Sequence, residues 1–216
     1  MAELPLVHAD ASLLVFDKPT GLLSVPGRGP DKQDCLASRV QAAWPEALVV
    51  HRLDQATSGL LLMARGTAMQ RYLSGAFAGR EVTKRYVAVV AGRIDMAAEA
   101  TGGWSVIDLP IAPDWPNRPR RIIDASLGKP SVTRWRPISH DAKLGSTRIE
   151  LEPVTGRTHQ LRVHLQALGH PILGDTLYAQ ADIAQGSARL LLHATRLELR
   201  HPLTGEMLVL DSPPPF

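Results

Sequence analysis

The chain has one cysteine, Cys35, which excludes an internal disulfide framework and a cysteine-based zinc site. Aromatic residues are few, with four Trp, three Tyr and three Phe in 216 residues. Lysine is also scarce, since Arg supplies 19 of the 24 basic residues. No apolar run approaches the roughly 18 residues that span a bilayer. The start, Met1-Ala2-Glu3-Leu4-Pro5, lacks the basic residues and apolar core of a secretory signal. A soluble, cytoplasmic protein without a membrane partner is the expectation. No stretch has linker composition, and there is no internal repeat.

What is present describes a globular chain. Hydrophobic residues make up 44% and charged residues 21%. A single domain of this length buries roughly 70% of its unfolded surface and needs no staples. The pI of about 9.3 is mildly basic. Arginine offers a rigid fork of donors suited to phosphates and base edges. Genomic composition explains the same bias equally well, so charge permits a nucleic-acid partner without establishing one.

The pattern of elements is mixed. Leu13-Leu14-Val15-Phe16 reads as a strand stopped by Lys18-Pro19-Thr20-Gly21. Asp34 is placed to cap a helix with apolar positions at Leu36, Val40 and Trp44, ended by Pro45. Leu48–Val50 and Leu60–Met63 read as buried strands. Thr67 is placed to cap a helix carrying Met69, Tyr72, Leu73, Ala76 and Phe77, with Gly79 as terminator. Lys84–Ala91, the alternating Thr133 and Trp135, and Arg148–Leu151 read as strands. Leu161, Leu165 and Leu168 form a helical stripe ended by Gly169. Arg196–Arg200 and Met207–Leu210 read as a strand pair. Strands scattered among few helices, without strict βαβ alternation, predict an α+β fold.

The segment His51-Arg52-Leu53-Asp54-Gln55-Ala56-Thr57-Ser58-Gly59 places two basic residues, a carboxylate and two hydroxyls between two apolar strands. Rigid strands presenting a polar loop make a common site geometry. A plain capped turn, with Asp54 bonding local amides, fits these residues as well. His159, Arg162 and Gln166 share a helix face beside the apolar stripe, after Thr155 and Arg157 on the entry loop. An Arg so placed can be buried against a carboxylate and hold it ionised, as a carboxylate nucleophile requires. An ordinary surface Arg is the simpler alternative. His159, His164, His170 and His193 invite a metal reading, but His159 and His164 stand five apart, on different helix faces, which argues against a metal site. Gly27-Arg28-Gly29 lacks the rest of a phosphate-binding fingerprint, so no nucleotide cofactor is expected. Asp114-Trp115-Pro116-Asn117-Arg118-Pro119-Arg120-Arg121 suits an RNA contact, or a solvated basic loop.

Several of these segments together resemble the RluA family of pseudouridine synthases. His51–Leu62 resembles the family's catalytic motif, and Lys18–Gly27 its opening motif. Lys84-Arg85-Tyr86-Val87-Ala88 resembles its tyrosine motif, and Thr155–Leu165 with Gly169–Asp175 its third. Leu192-His193-Ala194 and His201-Pro202 fit its closing strands. Length and the Asp114–Pro119 segment are most like the short, dual-specificity kind of member.

The resemblance implies one catalytic domain over residues 1–216, without an S4 RNA-binding domain, built on a mainly antiparallel central sheet flanked by helices, with an active-site cleft across it. It implies isomerisation of uridine to pseudouridine in structured RNA by base flipping, in a tRNA anticodon loop and a 23S rRNA hairpin, with no cofactor or metal. Asp54 would be the nucleophile, attacking the flipped uridine at ribose C1′. Tyr86 would lie against the target base and assist proton removal from C5, and Arg162 would pair with Asp54. Arg52 would fill the gap left by the flipped base. His51, Arg118, Arg120, Arg121, Arg157 and His159 would join Arg52 in contacting RNA. A monomer suffices for such a core. A non-catalytic RNA-binding module is the rival, although a carboxylate in the groove of an anionic ligand gains such a module nothing. A histidine-based metal hydrolase is the weaker rival.

Overall fold

The computed structural model describes residues 4–95 and 102–216, so Met1, Ala2 and Glu3 of the non-secretory start lie outside the described residues. In chain order the elements are β1 (Leu6–Ala9), β2 (Leu13–Lys18), α1 (Leu36–Ala43), β3 (Ala47–Val49), β4 (Ser58–Arg65), α2 (Thr67–Ala78) and β5 (Thr83–Ala91). They continue with β6 (Ser105–Asp108), β7 (Ile111–Pro113), β8 (Arg121–Ile123), β9 (Val132–Asp141), β10 (Ser146–Pro153), α3 (Gln160–Ala167), α4 (Ala181–Gln185), β11 (Leu192–Arg200) and β12 (Met207–Asp211). The mixture is the expected α+β, with mainly antiparallel strand pairs. The chain divides into two units, one of Met1–Lys84 with His193–Pro215, the other of Arg85–Leu192 with Phe216.

In the first unit β2 is antiparallel to β1 and to β4. The far edge of β4 is shared: β3 pairs with its end, and β11 runs parallel to its start, at Ser58 and Gly59. β12 closes on β11 as the expected antiparallel pair. Both β2 and β4 are buried on two faces, which is why each reads as an unbroken apolar run. On one face Leu13, Val15, Leu60, Leu62 and Ala64 pack with Leu73 of α2 and with Leu197, Leu199 and Leu210. On the other, Phe16 meets Trp44, at the end of α1, edge to face. β3 is half-buried rather than buried, because it pairs with one strand only.

Two helix starts fall one residue from expectation. Cys35, not Asp34, caps α1: its Sγ accepts the Ser38 N–H, and the Ser38 hydroxyl accepts the Cys35 N–H. Asp34 instead takes a fork from Arg39. Gly66, at φ 81°, precedes α2 in place of Thr67 as cap. Gly79 ends α2 as expected, but the left-handed residue after it is Arg80, at φ 63°.

In the second unit β10 lies between β5 and β9, and β6 lies outside β9, all antiparallel. β7 and β8 form a separate hairpin. Helix α3 departs from the amphipathic expectation, since Gln160 through Leu165 are all buried while Gln166 and Leu168 are exposed. Its polar residues tolerate this because each is bonded. Gln160 Nε2 donates to the Val132 carbonyl and Thr133 Oγ1. His164 joins Thr133 Oγ1 and the Leu109 carbonyl. His159 is not on the helix face with Arg162: it is the N-cap residue, left-handed at φ 58°.

Candidate active site

The 51–59 segment leaves β3 and enters β4, and the Lys18–Ser24 segment clasps it. The ammonium of Lys18 is fully buried and donates to the carbonyls of Pro19 (2.9 Å), Leu22 (2.7 Å) and Gln55 (3.2 Å). Thr20 Oγ1 donates to the Ala56 carbonyl at 2.6 Å. Gly21 N–H donates to the Gln55 carbonyl, and Gln55 Nε2 returns a bond to the Gly21 carbonyl. Ser24 Oγ both donates to the Leu53 carbonyl and accepts the Leu53 N–H. The turn itself closes through the Asp54 carbonyl, which accepts the Thr57 N–H at 3.1 Å. The loop is therefore shaped by main-chain bonds on both sides of Asp54, whose side chain is half-buried. Beyond the turn-forming Pro19 and Gly21 and the likeness of Lys18–Gly27 to an opening motif, no signal in the sequence assigned this role to Lys18, Thr20 and Ser24.

The flanks of the loop are braced too. His51 Nε2 accepts the Leu62 N–H at 3.0 Å, and its ring stacks on Phe77 at 4.4 Å. Burial, helped by the Lys84 ammonium, lowers its pKa to about 3, so the ring is neutral and its acceptor is engaged within the fold. Arg52, by contrast, is exposed. Gly59 stands at φ 110°, and a Cβ there would lie 2.3 Å from the Ala194 carbonyl oxygen. Only glycine lets β4 approach β11 this closely. Ser58 and His193 meet across the same junction at 2.8 Å, and His193 reaches Ser212 at 3.0 Å.

In the second unit Tyr86, half-buried, lies opposite Leu151 on β5. Its neighbour Arg85 pairs with Glu150 and Glu152 and lies over Trp104. Arg162 is buried, as the helix argument allowed, and is not the surface Arg of the simpler alternative; Asp175 is a carboxylate that takes it. Nε and Nη2 donate to the two Asp175 oxygens at 2.7 and 2.6 Å. The segment from Pro171 to Leu173 runs beside β5, and Gly174 then turns at φ 76° where a Cβ would collide with the Arg189 carbonyl. That turn delivers Asp175 beneath Arg162. The sequence held a signal for this in its Gly-Asp pair, but no partner for it.

Arg118, Arg120 and Arg121 all sit on the β7–β8 hairpin, whose tip is closed by bonds among Asp114, Asn117 and Arg120. Trp115 is 65% exposed there, with the Arg118 guanidinium 3.7 Å from its ring centre. Arg121 Nε is buried without an acceptor among the described residues. Arg157 is exposed on the entry loop of α3. His159 Nδ1 lies 2.7 Å from the hydroxyl of Tyr178. The histidines considered for a metal are thus engaged with hydroxyls and carbonyls: His164 and His193 as above, and His170 with the Ala91 carbonyl.

A family model described as RNA pseudouridylate synthase matches residues 12–167. The chain is 46% identical over 200 residues to a dual-specificity RNA pseudouridine synthase RluA of Yersinia pestis, covering 93% of this chain and 94% of that one. It is 42% identical over 213 residues to the enzyme of the same name from Escherichia coli (strain K12), covering 99% and 94%. Among solved structures, human RNA pseudouridylate synthase domain containing 1 superposes with a TM-score of 0.78 at 30% identity, covering 99% of this chain and 84% of that one. The chain belongs to the RNA pseudouridylate synthase family and is an RNA pseudouridine synthase, an enzyme that isomerises uridine within RNA.

Proposed function

We propose that the chain isomerises one uridine in a tRNA anticodon loop and one in a 23S rRNA hairpin, acting as a monomeric catalytic domain over residues 1–216 in the cytoplasm. The targets follow the relatives named above, which are dual-specificity enzymes. Asp54 is the nucleophile toward the flipped uridine. Tyr86 lies against the target base and assists removal of the C5 proton, and Arg162 pairs with Asp54. Arg52 fills the vacated place in the RNA. Arg118, Arg120, Arg121, Arg157, His51 and His159 complete the RNA contacts, with the exposed Trp115 as a surface on which a splayed base stacks.

The observation that carries this reading is the clasp on the Asp54 loop. Extracting a base from folded RNA costs a few kcal/mol, and an attacking carboxylate must wait at a fixed place while that happens. Bonds from Lys18, Thr20 and Ser24 to the carbonyls of residues 53, 55 and 56 hold it there without relying on RNA. Tritium release from C5-labelled uridine in the two stem-loop transcripts tests the targets. Release from both RNAs is expected. Release from one alone would overturn the dual specificity, and release from neither, but from total cellular RNA, would overturn both targets.

A further inference from the structure

Tyr178 is the residue on which the basic hairpin and the buried arginine converge. It is 7% exposed and packs among Ile111 of β7, Ile123 of β8, Val163 of α3 and Leu177. Its hydroxyl accepts the Arg121 N–H at 2.8 Å, at the first residue of β8. The same oxygen lies 2.7 Å from Nδ1 of His159, the left-handed residue that starts α3. Its ring lies 5.1 Å from the guanidinium carbon of Arg162 and 5.6 Å from that of Arg120. Its own N–H, with that of Leu177, donates to the Asp175 oxygen that receives Arg162 Nη2. One short turn, Asp175 to Tyr178, therefore grips the guanidinium twice, once through a carboxylate and once through a ring face.

We propose that Tyr178 is a positioning residue that registers RNA against Arg162, its hydroxyl anchoring the hairpin that contacts RNA and its ring supporting the arginine. The inference rests on the reading of Arg162 as part of the catalytic machinery and of the hairpin as an RNA contact. The chemistry divides the two jobs within one side chain. The hydroxyl bonds Arg121 and His159, both on the RNA-contacting surface of that reading. The ring lies nearest Arg162, with Arg120 of the hairpin slightly farther from it. RNA seated on the hairpin then lies at a distance from the arginine fixed by a single rigid phenol rather than by two independent loops.

Tyr178→Phe keeps the ring and removes both hydroxyl bonds, whereas Tyr178→Leu removes the ring as well. Each is compared with the wild type for melting temperature, for Kd with an anticodon stem-loop transcript, and for the saturating single-turnover rate of tritium release. Loss of the hydroxyl bonds is expected to raise the Kd of Tyr178→Phe by about three- to tenfold, with a smaller fall in saturating rate. Tyr178→Leu is expected to lower the saturating rate further, by about tenfold, the scale of a lost cation–π contact. An unchanged Kd in folded Tyr178→Phe would overturn the proposal, as would a fall in its rate that matches or exceeds the rise in Kd. Wild-type protein that binds the transcript but releases no tritium would count against the substrate reading, while the Kd comparison would still decide the anchoring role.

Discussion

Arg162 and Asp175 form a two-pronged ion pair, with Nε and Nη2 at 2.7 and 2.6 Å from the two carboxylate oxygens and neither side chain more than 4% exposed. Removing one partner breaks a buried, charge-assisted pair and leaves the other's charge less compensated in a dry interior. Asp175→Ala or Arg162→Ala is expected to lose about 3–5 kcal/mol of stability. Replacing both together, as Arg162→Met with Asp175→Leu, should recover most of that loss without recovering turnover. Urea titrations of the three variants check this, and wild-type midpoints in the single variants would contradict it.

Lys18 gives a separate handle on the Asp54 loop. Lys18→Met removes the buried ammonium from the carbonyls of Pro19 and Leu22 and leaves that of Gln55 the Gly21 N–H. A loss of about 2–4 kcal/mol is expected from unsatisfied acceptors. The saturating rate should fall more than the affinity for RNA, because the loop that loosens carries Asp54, the proposed nucleophile. A variant that turns over like the wild type would show that the clasp does not position Asp54.

Two glycines separate collision from backbone strain. At Gly59 an added Cβ meets the Ala194 carbonyl oxygen at 2.3 Å and its nitrogen at 2.5 Å. Gly59→Ala should cost about 3 kcal/mol or more, in the range reserved for disrupted special sites. At Gly21, φ 84° is unfavourable but nothing lies within 4 Å, so Gly21→Ala should cost only about 1–2 kcal/mol. Equal losses in thermal melts would refute the distinction.

Stability is expected to fall on mild acidification. Burial lowers the pKa of His51 to about 3, and burial lowers that of His164 as well. The unfolded chain takes up these protons near pH 6.5 and the folded chain does not. Each such group therefore costs up to about 1.4 kcal/mol per pH unit below that point, for His51 until the pH approaches 3. Asp10 adds a loss below about pH 4: its burial alone would raise its pKa, but bonds from His8, from the Ser12 and Leu13 amides and from His201 outweigh burial and hold it low. Its contribution is present above the unfolded value and disappears as the pH falls through the folded one. His51→Gln keeps an acceptor for Leu62 and should flatten the profile between pH 6.5 and 5. An identical profile would contradict the assignment.

Local pattern made some of this legible and distance hid the rest. β4 and the loop before it were readable because an unbroken apolar run follows a polar motif. The burial of α3 was not, because its polar residues find their partners at Thr133, Leu109 and Asp175, which no helical period reveals. Lys18 was read as a strand stop and as the first residue of the opening motif, not as a buried clasp, since lysines are seldom fully buried. The β7–β8 hairpin escaped notice because its three-residue strands are too short to show alternation and one contains Pro113. Asp34 outranks cysteine as a cap by propensity, but here Arg39 holds its carboxylate.

The central claim is that Asp54 is the nucleophile. The most direct test is single-turnover tritium release from a C5-labelled anticodon stem-loop by Asp54→Asn, with RNA affinity measured in parallel. No release, with Kd within severalfold of the wild type, is the predicted result, since the change removes one charge and almost no volume. Appreciable release by Asp54→Asn would contradict the account.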